Sequence, residues 1–277
     1  MMKRLLTVQD ISCVGKCSLT VALPIISALG VEASVLPTAV LSAHTMFQNY
    51  TCKDLTDQIQ PITNHWKQEH IDFSAIYTGY LASPKQVSLM EKLFDAFKTE
   101  SNFVFVDPVM ADNGVLYAGF DAAFPKQIAR LCAKADIIVP NLTEACLLTE
   151  TAYREEYDRA YVEQLMEKVC DLGSRITILT GVSLEKRKTG VMGYDRVTGE
   201  NFCYSHEKLP ISYQGTGDIF SSTCVGAMVR GMSWKEAVCL AADYTAECIR
   251  LTILDPSKPW YGVNFEQAIP YLIQRIS

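Results

Sequence analysis

Gly215-Thr216-Gly217-Asp218, followed by apolar Ile219-Phe220, sets two glycines around a threonine beside a carboxylate. Such a stretch can aim several backbone N–H groups at one point. The residues after it read as a helix over 217–230, so that point lies at a helix N-terminus, where an anion binds without a lysine. A carboxylate beside a bound anion needs a role of its own. Asp218 fits one in which it takes a proton from a hydroxyl while the N–H groups meet charge developing on a transferring phosphoryl group. The plainer reading is an aspartate that only favours the helix dipole. The flanking glycines argue against it, because they give up side-chain packing on both sides.

Other groups offer the complementary chemistry. Asp107 follows the apolar run Phe103–Val106, and Asp112 comes five residues later. Together they can hold a divalent cation directly or through water. A turn carboxylate ahead of Pro108 is the alternative. Asn141 and Glu144 either cap a helix as a pair or order the water shell of Mg²⁺. Gly15-Lys16-Cys17-Ser18 resembles the tail of a Walker A loop, but Cys17 stands where that motif needs Ser/Thr, and the glycine the motif needs before Gly15 is missing. It reads instead as a glycine-rich turn near a substrate. His44 and Thr45 follow a strand, and His44 is either a hydrogen-bonded structural residue or a substrate contact. Lys186-Arg187-Lys188 lies in a loop over 181–214 that closes on a nucleotide or is simply solvated.

The elements that position these groups alternate. Strands are expected at 5–9, 33–41, 73–80, 103–106, 137–139 and 176–179. Helices are expected at 18–29, 53–68, 84–99, 122–135, 142–149 and 159–172. A hairpin follows at 191–196 and 201–205, then helices at 217–230, 233–251 and 264–275. The alternation predicts an α/β fold with a mostly parallel sheet, helices on both faces and a late antiparallel hairpin. With no linker or repeat, residues 1–277 read as one domain. Ligands of such sheets bind past the carboxyl ends of the strands. There the sequence places Asp10, His44-Thr45, Gly79-Tyr80, Asp107, Asn141 and Thr180-Gly181.

The totals narrow the class. The chain has 277 residues, 49% of them hydrophobic, and a net charge of −6, with no basic cluster for nucleic acid. Ten cysteines without a C-x-x-C pair and only four histidines leave little for a zinc site. They suit a reducing cytoplasm. The N-terminal apolar run is too short for a signal peptide and reads as the first strand. No segment has the length of a membrane span, and no G-x-G-x-x-G follows the first strand, which disfavours a dehydrogenase.

Together these stretches resemble the ribokinase superfamily and, within it, the pyridoxal (vitamin B6) kinases. The likeness runs through Thr7-Val-Gln-Asp10, Leu41-Ser-Ala-His-Thr45, Thr78-Gly-Tyr-Leu-Ala-Ser-Pro84, Asp107-Pro-Val-Met110, Pro140-Asn-Leu-Thr-Glu144 and Gly215–Asp218. It implies a ribokinase-like three-layer fold and ATP-dependent phosphorylation of the 5′-hydroxymethyl of pyridoxal, pyridoxine or pyridoxamine. It implies Asp218 as base and Gly215, Thr216 and Gly217 as the anion hole. Asp107, Asp112, Asn141 and Glu144 are implied for Mg²⁺ and phosphates, and Asn141, Thr180, Gly181, Thr216 and Gly217 for ATP. Asp10, His44, Thr45 and Tyr80 are implied for the ring. A homodimer is the implied assembly, and a monovalent cation requirement stays open.

Position 10 carries Asp where such kinases usually carry Ser, which suggests a preference for the cationic aminomethyl group of pyridoxamine. Val139 stands where a Thr often precedes the Pro-Asn. Hydroxymethylpyrimidine kinases share Asp-Pro-Val-Met and are the nearest alternative. A non-catalytic binding protein of the same fold is a further one, disfavoured because Asp218, Asp107 and Glu144 are all present.

Overall fold

The computed structural model describes residues 3–211 and 213–276. In chain order the elements are β1 (Arg4–Ser12), α1 (Leu19–Ala28), β2 (Glu32–Leu41), β3 (Cys52–Asp54), α2 (Thr56–Gln68) and β4 (Ala75–Thr78). Next come α3 (Pro84–Phe97), β5 (Phe103–Val106), β6 (Ala111–Asp112), β7 (Val115–Leu116), α4 (Phe124–Cys132), β8 (Ile137–Ile138), α5 (Leu142–Leu148) and α6 (Arg159–Cys170). The chain finishes with β9 (Ile176–Val182), β10 (Lys188–Asp195), β11 (Glu200–Glu207), α7 (Thr216–Arg230), α8 (Trp234–Leu254) and α9 (Phe265–Ile276). Contacts divide the chain into two compact units, Met1–Gly79 with Leu209–Ser277, and Tyr80–Lys208.

In the first unit β1 pairs in parallel with β2 and with β4, and β3 adds an antiparallel edge to β2. Leu5, Leu6 and Val8 of β1 are buried, as expected for a strand covered on both faces. Helix α1 ends at Gly30, which takes φ 73 as a left-handed helix stop. In the second unit β5, β8 and β9 run parallel. β10 pairs antiparallel with β9 and β11 with β10, giving the late hairpin that the turn Val197–Glu200 predicts. The fold is the mixed α/β, mostly parallel architecture expected from the alternation.

Four local differences matter. The helix expected over 53–68 begins later, because residues 52–54 pair with β2 and the Asp54 carboxylate accepts the Thr56 N–H at 2.7 Å. Asp10 lies inside β1 rather than past it, where the register with β2 shifts between Gln9 and Ile11. Thr180 and Gly181 lie inside β9, since β10 extends the pairing to Val182. A small hairpin, β6–β7, occupies 111–116. It turns on Asn113 and Gly114, at φ 50 and φ 80, the pair that a tight hairpin prefers.

Candidate active site

The glycine stretch forms the start of α7. Gly215 is its N-cap, at φ 82, and offers no side-chain cap. An added Cβ there would collide with the backbone carbonyl of Lys16. Gly215 is therefore required both by its left-handed conformation and by a close backbone approach. Gly217 is different: it is exposed, and a Cβ there would meet nothing within 4 Å. Among the described residues, the first N–H groups of α7 keep no side-chain partner at the cap, which leaves them open to an anion. Thr216 turns its hydroxyl back to the Tyr213 carbonyl at 3.2 Å.

Asp218, in the third helical position, is half-buried. Its Oδ2 accepts the backbone N–H of Ser18 at 2.9 Å. Burial pushes this carboxyl up to about 7, the Ser18 N–H opposes the rise, and the negative charge of Asp10 adds to it. A carboxylate in that range can accept a proton near neutral pH. Asp10 is 6% exposed, and its two oxygens accept the hydroxyls of Ser18 at 2.6 Å and Ser12 at 3.0 Å. Ser18 is thus a member of the site that the sequence reading did not single out. Its only sequence signal was the glycine-rich turn ahead of it.

His44 is buried in the same unit. Its Nε2 donates to the Tyr261 carbonyl at 2.9 Å, and its Nδ1 accepts the Met46 N–H at 3.2 Å. Both ring nitrogens are thereby occupied by backbone, and the ring lies near Phe47, Trp260 and Tyr261. Thr45 follows it on the surface.

The second unit brings together Asp107, Asn141 and Glu144. Asn141 caps α5, and its side chain accepts the Glu144 N–H at 2.9 Å and donates to the Ala111 carbonyl at 2.8 Å. Glu144 reaches back to the Asn141 N–H at 2.9 Å and also accepts the Met110 N–H at 3.1 Å. The capping arrangement is complete. Glu144 is 3% exposed. Burial holds its carboxyl well above the usual carboxylate range, the charge of Asp107 pushes the same way, and backbone N–H groups oppose both.

Asp112 does not join this group. It is exposed, and its carboxylate accepts from the Asn113 N–H at 2.8 Å and the Asn113 side-chain amide at 3.1 Å. Thr180 sits beside Asn141 through a parallel bridge, and Gly181 next to it is exposed, with φ 72 and open space at its Cα. Tyr80 packs its ring 5.5 Å from Phe120.

Among the described residues, no group of three or more His, Cys, Asp or Glu is arranged to hold a metal ion. The donor set still fits Mg²⁺ of one kind. Two buried carboxylates, Asp107 and Glu144, repel each other without a cation between them. Glu144 has both oxygens on backbone N–H groups, so its share in binding is by charge and through water. That suits an ion that keeps several waters and takes its other ligands from phosphates.

The model of the phosphomethylpyrimidine kinase family matches residues 23–260. A crystal structure from Bacteroides thetaiotaomicron, assigned to a phosphomethylpyrimidine kinase, is 35% identical with a TM-score of 0.94, over 98% of this chain and 94% of that one. Another crystal form of the same description contains pyridoxal. Pyridoxal kinase from Lactobacillus plantarum is 26% identical with a TM-score of 0.90, over 99% and 98% of the two chains. The pyridoxal kinase of Dictyostelium discoideum is 23% identical over 250 residues, 85% of this chain and 82% of its own length. The chain belongs to the phosphomethylpyrimidine kinase family and, within the ribokinase-like superfamily, stands with the vitamin B6 kinases.

Proposed function

We propose that the chain catalyses ATP-dependent phosphorylation of the 5′-hydroxymethyl group of a vitamin B6 vitamer. The observation that carries this reading is the Asp218 carboxylate, set by the Ser18 N–H in the first turn of a helix whose glycine cap leaves its N–H groups open. The hydroxymethyl oxygen attacks the γ-phosphorus of ATP as its proton passes to Asp218. The bond from the γ-phosphorus to the β,γ-bridging oxygen breaks, and ADP leaves with that electron pair. The N–H groups of Gly215, Thr216 and Gly217 meet charge on the equatorial oxygens. Asn141, Thr180 and Gly181 contact the nucleotide.

Bound Mg²⁺ would neutralise charge on the phosphates, held by Asp107 and, through water, by Glu144 and Asn141. Asp112 joins only through water from its exposed hairpin. Asp10, His44, Thr45 and Tyr80 hold the ring. Because His44 has both nitrogens on backbone, it offers its ring face or edge. Asp10 favours pyridoxamine, whose ammonium it can pair. Replacing it by serine should lower kcat/KM for pyridoxamine relative to pyridoxine, and an unchanged ranking would remove that part of the reading.

A panel of the three vitamers and hydroxymethylpyrimidine, followed by ADP release with Mg²⁺ and ATP, tests the whole. Hydroxymethylpyrimidine is the second reading, favoured by the family description and by that of the Bacteroides relative. Turnover with it alone would replace the first. No turnover with any member would leave a binding protein. The same reading includes a homodimer, checked by light scattering, and a cytoplasmic location. The ten free cysteines, five of them buried, suit a reducing compartment. Among the described residues, no helix is long and apolar enough to cross a membrane.

A further inference from the structure

Asp10 and Asp218 meet on one residue. Ser18 gives its backbone N–H to Asp218 and its hydroxyl to Asp10. It does so at φ 53 and ψ −136. A side chain holds such a backbone only where its surroundings enforce it. The enforcement is visible. The hydroxyl is bound to a carboxylate that is itself buried in a strand and steadied by Ser12. No Lys or Arg pairs with either carboxylate among the described residues. Lys16, two residues away, is committed to Glu266 at 2.6 Å and lies over the Phe265 ring.

We propose that Ser18 is a positioning residue: Asp10 grips its hydroxyl, and that grip fixes the backbone N–H that aims the Asp218 carboxylate. The proposal rests on the kinase reading for what the aimed carboxylate does. It also assigns Asp10 a second task besides facing a substrate. The groups that face Asp218 are Asp10 from β1, and the Ser18 N–H and Cys17 thiol from the turn before α1. The thiol is pushed up to about 12, by burial first and then by Asp218, so it stays neutral. Among the described residues, Asp10 is the one negative charge that bears on Asp218.

Two experiments test this. The first is a double-mutant cycle on kcat with Ser18→Ala and Asp10→Ala. Each single change should lower kcat by about tenfold, and the double variant should be no slower than the slower single, because both break one link. Losses that multiply would overturn the link. The second follows the Asp218 carboxyl by carbon NMR from about pH 5 to 9 in the wild type and in Asp10→Asn, which is nearly isosteric. Its midpoint should fall by roughly one unit when the neighbouring charge goes. An unmoved midpoint would show that Asp10 does not bear on Asp218. This titration needs no turnover, so it reads the coupling of Asp10 to Asp218 even if no vitamer is phosphorylated. In that event the kinase reading falls alone.

Discussion

Asp218 and Glu144 occupy the same place in two different helices. Each is the third residue of its helix, α7 or α5, and each lies beside a second acid, Asp10 or Asp107. What differs is the cap. Asn141 has a side chain, which takes the Glu144 N–H, and Glu144 closes the pair by returning to the Asn141 N–H. Both oxygens of that carboxylate are held by backbone N–H groups. Gly215 has no side chain to offer, so Asp218 has no partner at its own cap and reaches the Ser18 N–H from another part of the chain. The cap residue therefore decides whether an acid at this helix position closes onto its own helix or reaches a partner elsewhere.

The largest expected effect is on the acid that reaches elsewhere. Asp218→Asn should lower kcat by roughly 10² to 10⁴, the usual loss for a general base, with little change in nucleotide affinity. In the wild type, activity should rise with pH through about 7 as Asp218 ionises. The same variant should be more stable than the wild type. Its carboxyl lies at about 7 in the fold, above its value in the unfolded chain. The folded state is thus favoured at low pH and loses that advantage as pH rises through about 7. Thermal melts should show the variant's advantage growing from about pH 4 to 7, to on the order of a few kcal/mol. Near-normal turnover in this variant would dissolve the contrast between the two acids.

Glu144→Ala tests the acid closed onto its own helix, and its effect should fall first on stability. It strips acceptors from the N–H groups of Met110 and Asn141 and should cost about 2–5 kcal/mol. Glu144→Gln keeps one good acceptor and should cost less, about 1 kcal/mol. A Gln variant that melts normally yet turns over far more slowly would show that the charge of Glu144 matters more to the site than its capping.

These two acids also show what the sequence could and could not disclose. Of the glycines around Thr216, Gly215 is asked for by its left-handed turn against Lys16, and Gly217 alone is left without a packing reason. Asn141 with Glu144 was ambiguous, since one spacing serves both a cap and a metal shell. Ser18 was illegible for a physical reason: its role lies in a backbone angle and in a partner 200 residues away. The strands and helices could be read from apolar runs. The slip at Asp10 could not, because a register shift depends on the neighbouring strand. The hairpin at Asn113-Gly114 was readable from its turn residues and was hidden only by the shortness of its strands.

Gly215→Ala should act on folding. It adds a Cβ where the chain is left-handed and presses it on the Lys16 carbonyl, which should lower stability by about 1–3 kcal/mol. Melting temperature checks this directly, and a normal melt would mean that the turn can relax away from Lys16.

Gly217→Ala should have the smallest effect on stability and is the most discriminating of the set. The position is exposed, helical and open, so a methyl group meets nothing in the protein. Alanine is the better helix former by up to about 1 kcal/mol, less in a first turn, so the melting temperature should hold or rise slightly. If the N–H groups behind this position receive the transferring phosphoryl group, the methyl stands in the way of that approach, and kcat should fall while the fold improves. A glycine kept for structure gives the opposite pattern, as Gly215 should. A Gly217→Ala variant with unchanged turnover would mean that the phosphate approaches elsewhere, and the openness of this cap would then have no bearing on catalysis.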